Sequence, residues 1–261
     1  MRLDRVAPSP GQAPQRLLRP QRPVHEAAAD ATRQPAPAGL GLDSAAVRAR
    51  MVERIRAEGV RCEPVLAALG QVARHRFVDS ALANQAYEDT SLPIGLGQTI
   101  SKPSVVARML ALLVERAPAR SPGQAALGRV LEIGTGCGYQ AALLSLLSVR
   151  VVSVERLAPL YDKARANLAG LAGNNLRLVY GDGRHGHAPN APYDCILAAA
   201  GGDELPSAWL EQLAVGGRLV APMHSPSDGG QMLLVVDRHP DGFRRSSHDA
   251  VHFVPLKSGV D

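Results

Sequence analysis

The run Val130-Leu131-Glu132-Ile133-Gly134-Thr135-Gly136-Cys137-Gly138-Tyr139-Gln140 limits the folds open to this chain more than any other stretch, because an apolar segment breaks there into three glycines at alternate positions. Val130, Leu131 and Ile133 are residues that a buried parallel strand favours, and the glycines let the backbone pass close under a ligand with no Cβ in the way. Strong helix formers follow: Ala141, Ala142, Leu143, Leu144, Leu146 and Leu147. The pattern predicts strand, tight turn and helix start. This is the first βα turn of a doubly wound, mostly parallel α/β sheet, in which ligands lie beyond the carboxyl ends of the strands.

Spacing bears on which nucleotide such a turn would take. A dinucleotide fingerprint reads G-x-G-x-x-G, its third glycine easing helix packing under a pyrophosphate. Here the glycines are Gly134, Gly136 and Gly138, and bulky Tyr139 holds the place of the third. Glu132, just before the turn, adds negative charge that suits a sulfonium and an amino group better than a diphosphate. Roughly twenty residues on, Glu155 closes a second apolar run, Val151 to Val154, where a carboxylate at a strand end can accept both ribose hydroxyls. Glycine loops also occur as plain turns; Glu155 is what tips the reading toward S-adenosyl-L-methionine and away from NAD.

The 261 residues suffice for one large α/β domain with small additions, and 46% hydrophobic content can fill its core. No apolar stretch is long enough to span a bilayer, so a soluble protein without a membrane partner is expected. Of the net charge of +5, the first forty residues carry +3, six Arg against Asp4, Glu26 and Asp30. The remainder is only mildly basic, and no specific nucleic-acid partner is expected. Cys62, Cys137 and Cys195 are odd in number, widely spaced and without a C-x-x-C pair, and read as free thiols in a reducing, cytoplasmic compartment.

Residues 1–42 hold Pro8, Pro10, Pro14, Pro20, Pro23, Pro35 and Pro37 with almost no periodic apolar face, and are expected to be disordered. An Arg-rich, acid-poor leader is also the mark of an organelle transit peptide, but these prolines oppose an amphipathic helix. The domain is placed at 43–261. It opens at an Asp43-Ser44 helix cap, with Val47, Met51 and Ile55 on one face and Gly59 as the stop. A second helix uses Val65, Leu66, Leu69 and Val72; such a pair commonly forms an N-terminal helical cap over a nucleotide site, and packing alone accounts for it at least as well. Tyr87 to Pro103 has neither helical nor strand period, and its glycines and hydroxyls make it a candidate active-site loop. Within it Ser101 has two readings. With Pro103 just inside a helix, spacing alone favours Ser101 as the helix cap.

After a Pro/Gly linker from Ala117 to Gly128, strands and helices alternate. Val130–Ile133 leads to a helix from Tyr139, Val151–Glu155 to a helix over Leu157–Leu171, and Leu176–Tyr180 to Gly181-Asp182-Gly183 at the same sheet edge. There Asp182 can receive the adenine amino group. Tyr193 to Ala200 is the fourth strand, Pro206 to Leu213 a helix, and Arg218–Ala221 a strand. Gln231–Val236 and Val251–Leu256 are expected to pair as the closing edge hairpin. His185 and His187, with His224, invite a metal reading. Two His in a Gly/Pro loop without H-E-x-x-H or a cysteine partner read as loop residues, and no metal is expected.

Taken in order, these pieces resemble the protein-L-isoaspartate(D-aspartate) O-methyltransferase family over about Val47 to Leu256. The glycine motif is shared by many methyltransferases. Leu92-Pro93-Ile94-Gly95 with Gly97-Gln98-Thr99-Ile100-Ser101, and Phe253-Val254-Pro255-Leu256, are peculiar to this family. The resemblance implies a Rossmann-like methyltransferase fold and transfer of a methyl group from S-adenosyl-L-methionine to the α-carboxylate of isoaspartyl residues in damaged proteins and peptides. It makes Ser101 the active-site hydroxyl. Thr99, Ile100, Glu132, Gly134, Gly136, Glu155, Arg156, Asp182 and Gly183 would hold the cofactor, and Ile94, Val254, Pro255 and Leu256 would line the peptide groove of a monomer. Lys102, Gly201-Gly202, His185 and His187 depart from the family pattern and put substrate preference in question more than the reaction. Two other readings stay open: a methyltransferase of the same fold with another acceptor, and a non-catalytic protein that binds the cofactor or, through its Arg-rich tail, nucleic acid.

Overall fold

The computed structural model describes residues 45–117, 124–171, 173–225 and 229–261. The extension 1–42, the Asp43-Ser44 cap and the centre of the 117–128 linker lie outside them. Helices α1 (Ala45–Ala57) and α2 (Glu63–Gln71) bury Met51, Ile55, Val65, Leu66 and Leu69, the apolar faces read from their periodicity.

The segment expected to be a loop contains a small antiparallel hairpin, β1 (Leu92–Gly95) and β2 (Gln98–Ile100), in the register Leu92–Ile100 and Pro93–Thr99. Strands of four and three residues are too short to show a period. Its tip runs through the left-handed region at Gly95, Leu96 and Gly97, with φ of 102°, 53° and 68°. Helix α3 (Pro103–Arg116) follows.

Seven strands form the main sheet: β3 (Leu127–Ile133), β4 (Ser148–Glu155), β5 (Leu176–Tyr180), β6 (Tyr193–Ala198), β7 (Leu213–His224), β8 (Gln231–His239) and β9 (Gly242–Val251). Their order is β5-β4-β3-β6-β7-β8-β9. The first five in that order are parallel; β8 runs antiparallel to both β7 and β9. The chain steps outward from β3 to β5, then returns to the other side of β3 as β6, so the topological switch lies beyond the carboxyl ends of β3 and β6.

Alternate residues of each inner strand feed two separate cores. Val130, Val151, Cys195 and Leu197 pack on the side of α3, α4 (Tyr139–Leu147) and α5 (Ala158–Leu168); Leu131, Ile133, Val152, Ile196 and Ala198 pack with Trp209 of α6 (Ser207–Gln212). Burial on both faces is why these strands read as continuous apolar runs.

The closing hairpin departs from expectation. Gln231–Val236 does open β8, but its partner is Gly242–Val251, and residues 252–256 leave the sheet. Every residue of β9 is exposed or half-buried, so this edge strand carries no apolar signal. No described helix is long and apolar enough to cross a membrane.

Candidate active site

The glycine turn is held by β4. Gly134 and Thr135 N–H donate to Val154 O at 2.9 and 3.3 Å, and Gly136 N–H donates to Glu155 Oε2 at 2.8 Å. Glu155 Oε1 accepts from the N–H of Arg156 and Leu157 at 2.9 and 3.0 Å. Three backbone donors thus fix a carboxylate directly over the turn. Gly136 N–H is a donor that a dinucleotide site would offer to a pyrophosphate; here a carboxylate has it, so the turn suits a neutral or cationic ligand. At Gly138, φ is 92° and a Cβ would lie 2.9 Å from Leu168 Cδ1, so the close seat of α5 requires glycine.

Glu132 is placed differently from the sequence reading. It is fully buried beneath the turn and does not line the cavity. Ser153 Oγ donates to its Oε2 at 2.5 Å, and Thr135 Oγ1 lies 2.5 Å from Ser153 Oγ. Burial pushes its carboxyl up to about 8, against the opposing pull of Ser153 and Gln140 and with a further push from the Glu155 charge. Gln140 faces the group, but its Nε2 is out of hydrogen-bond geometry, and Glu132 Oε1 is unpartnered among the described residues. At neutral pH such a carboxyl is mainly protonated and supports the turn from beneath.

The cavity at the switch point is open to solvent, with about 900 Å³ of free space counting its mouth. Its inner wall is Gly134, Gly136, Glu155, Arg156 and Gly183; its outer wall is Ile94, Thr99, Ile100, Ser101, Val254, Pro255 and Leu256. All of these were predicted from sequence. Gln140, Leu160, Ala199, Ala200 and Lys257 line it too and were missed. Ala199-Ala200 follows β6 at the switch point, a position the strand order alone could have marked.

Asp182 also departs from expectation. It stands behind the wall, its Oδ1 accepting from Arg184 N–H at 2.8 Å and its Oδ2 from Gly259 N–H at 2.6 Å. Gly183, next to it, reaches the cavity. A Cβ there would lie 2.5 Å from Ile133 Cγ2, and its carbonyl accepts from Trp209 Nε1 at 2.8 Å.

Ser101 is not the helix cap. Lys102 holds that place without a side-chain cap bond, and Asp89 caps α3 from a distance, accepting from Ser104 N–H at 2.8 Å and Ser104 Oγ at 2.7 Å. Ser101 is therefore free of that duty, and it lines the cavity. Lys102 is exposed and outside the lining. The hairpin is tied down by Lys163 Nζ, which donates to Ile94 O at 2.9 Å, and Ile94 Cδ1 would lie 3.3 Å from a Cβ on Gly136.

Across the mouth, Gly201 N–H donates to Val254 O at 2.9 Å and Leu256 N–H to Gly201 O at 2.6 Å. Gln231 holds both polar groups of Phe253, Oε1 taking its N–H at 2.7 Å and Nε2 reaching its carbonyl at 3.3 Å. These bonds are what takes 252–256 out of the sheet. They also account for Gly201, where a Cβ would meet Gln231 Nε2 at 2.6 Å. Among the described residues there is no group of three His, Cys, Asp or Glu side chains placed to hold a metal ion, and the three cysteines are unbridged.

A doubly wound sheet with an open cavity at its switch point, a glycine turn and a carboxylate closing the second parallel strand define the class: a Rossmann-like S-adenosyl-L-methionine-dependent methyltransferase. The family profile of protein-L-isoaspartate(D-aspartate) O-methyltransferase matches residues 46–261, and the chain belongs to that family. A protein-L-isoaspartate O-methyltransferase of Methylibium petroleiphilum is 64% identical over 100% of this chain and 96% of the relative; one of Leptothrix cholodnii is 63% identical over 93% and 84%. A solved protein-L-isoaspartate O-methyltransferase superposes with a TM-score of 0.71 at 26% identity, covering 82% of this chain and 67% of its own. A Plasmodium falciparum structure, described as such an enzyme in complex with S-adenosyl-L-homocysteine, shares the fold with a TM-score of 0.67 at 23% identity, covering 80% and 98%.

Proposed function

We infer that this protein repairs isomerised aspartyl residues, moving a methyl group from S-adenosyl-L-methionine to the free α-carboxylate of L-isoaspartyl residues in damaged proteins. The observation that carries the site assignment is Ser101, unused by the helix it precedes and lining the same cavity as the glycine turn and Glu155. The bound cofactor supplies a methyl carbon on a sulfonium sulfur, activated for direct displacement.

The protein's own part is binding and alignment. Glu155, fixed by three N–H donors, presents its carboxylate for the ribose hydroxyls, while Gly134 and Gly136 let the nucleotide lie against backbone. Arg156 and Gly183 flank the base, and Thr99 and Ile100 close over the transfer site. An isoaspartyl α-carboxyl ionises near pH 4, so at neutral pH the nucleophile is ready and no general base is needed. Ser101 donates a hydrogen bond that orients the carboxylate, and Ile94, Val254, Pro255 and Leu256 hold the peptide and exclude water. We place the protein in the cytoplasm as a monomer without a nucleic-acid partner; the unbridged thiols and the mild charge of the domain support this, and size-exclusion with light scattering tests the monomer.

Incubation with labelled cofactor and paired peptides that differ only in Asp or isoAsp tests the reading. Label is expected on the isoAsp peptide alone. Equal labelling, or none, overturns the substrate assignment.

A further inference from the structure

Residues 252–261 leave β9 and cross the mouth of the cavity, pinned at two places. The near anchor is Gln231 and Gly201, which hold Phe253, Val254 and Leu256. The far anchor is a set of six bonds between Gly259 and Asp261 and the ends of β4 and β5. Gly259 N–H donates to Asp182 Oδ2 at 2.6 Å, and Arg156 Nε donates to Gly259 O at 2.9 Å. Arg156 Nη2 lies 2.6 Å from Asp261 Oδ2. Asp261 pairs by its backbone as well, its N–H donating to Arg156 O at 3.0 Å and its carbonyl accepting from Ala158 N–H at 2.8 Å, with Tyr180 OH at 3.2 Å.

The cavity lining ends at Lys257, so 258–261 lies outside the cavity and grips its wall. What it grips is specific: Arg156, which lines the cavity, and Asp182, the residue before Gly183. We propose that residues 258–261 form a latch on the cofactor site, fixing Arg156 and the Asp182-Gly183 turn in the positions that hold the adenosine and setting the rate at which the cofactor leaves. The proposal rests on the assignment of this cavity to S-adenosyl-L-methionine.

Latch and cofactor are compatible. Asp182 stands behind the wall and only Gly183 of that turn reaches the cavity, so a bound base leaves the bond between Gly259 N–H and Asp182 in place. The latch also joins the two halves of the site, because one continuous segment supplies Val254 to Leu256 on the acceptor side and the restraint on the cofactor side. Of its bonds, the exposed Arg156–Asp261 ion pair counts for little, and the Gly259 N–H on a carboxylate counts for most.

S-adenosyl-L-homocysteine is the probe, with its dissociation rate measured by stopped flow in wild type, Gly259→Pro and Asp261→Ala. Proline removes the N–H and cannot adopt the φ of 78° found at Gly259. Release about tenfold faster is expected in Gly259→Pro, from loss of one charge-assisted bond, and a smaller change in the same direction in Asp261→Ala. The melting temperature of the ligand-free proteins should change little. In wild type, bound probe should also slow trypsin cleavage after Lys257, a measurement that needs no variant. Unchanged release, slower release in the variants as a competing segment would give, or cleavage after Lys257 indifferent to the probe each overturn the latch. Failure of wild type to bind the probe at all is a separate result, and overturns the cofactor assignment beneath it.

Discussion

The two walls of the cavity are built by different means. The inner wall is made of the sheet: β3 runs into the glycine turn, Glu155 at the end of β4 is 5% exposed, and its bonds run to that turn and to the two residues that follow Glu155. The outer wall is made of segments that belong to no large sheet, the β1–β2 hairpin and residues 253–257, each held by side chains reaching from elsewhere. The inner wall therefore draws its shape from the hydrophobic core, and the outer wall from a few polar ties. Damage to the first should appear in stability and cofactor affinity, and damage to the second in turnover.

The largest effect expected concerns Glu132, beneath the inner wall. Its carboxyl is raised from 4.5 to about 8 by burial, so its contribution to stability is complete below about pH 4.5 and is lost as pH climbs through about 8. Wild type should lose roughly 3–4 kcal/mol of unfolding free energy between about pH 5 and about pH 9 that Glu132→Gln does not lose, measured by denaturant titration at each pH. Equal pH dependence in the two proteins would mean the inner wall is not dry. Next, Glu155→Ala should weaken S-adenosyl-L-homocysteine about 100-fold by calorimetry, roughly 2.7 kcal/mol. Unchanged affinity would break the assignment of the ribose to this carboxylate.

On the outer wall, Ser101→Ala should slow methyl transfer about 10- to 100-fold while cofactor affinity stays within about twofold, since the hydroxyl acts on the acceptor. Calorimetry showing lost cofactor binding would move Ser101 to the inner wall and erase the contrast. The smallest effect belongs to Asp89→Ala, which removes the cap of α3 and should cost about 1 kcal/mol of stability. It sharpens the comparison if turnover falls further than stability does, because α3 begins two residues after Ser101.

The inner wall was legible in the sequence because its determinants are local: an apolar run, glycines at alternate positions and Glu155 at the end of the next run. Glu132 was misplaced because a charge beside a turn reads as ligand-facing. Strand alternation puts it on the side of Val130, inside the core of a sheet covered on both faces. The outer wall was harder to read. The cap that frees Ser101 comes from Asp89, fifteen residues from Ser104, and the bonds that draw 252–256 off the sheet come from Gln231. Gly201, one half of the Gly201-Gly202 departure from the family pattern, is explained once Gln231 is seen against it; the space around Gly202 would take a Cβ. None of these pairings leaves a periodic trace.

Ile94 rests on the glycine turn, close enough that a methyl on Gly136 would press on its Cδ1 at 3.3 Å. Mutational drift on the two sides of the pocket is therefore not independent. Trimming Ile94 to valine would make room beside it for alanine at Gly136, leaving the backbone cost of its φ of 57° and the loss of bare backbone under the nucleotide, whereas either change alone leaves a void or an over-tight contact. Substitutions that survive at one of these positions should arrive in company with a substitution at the other.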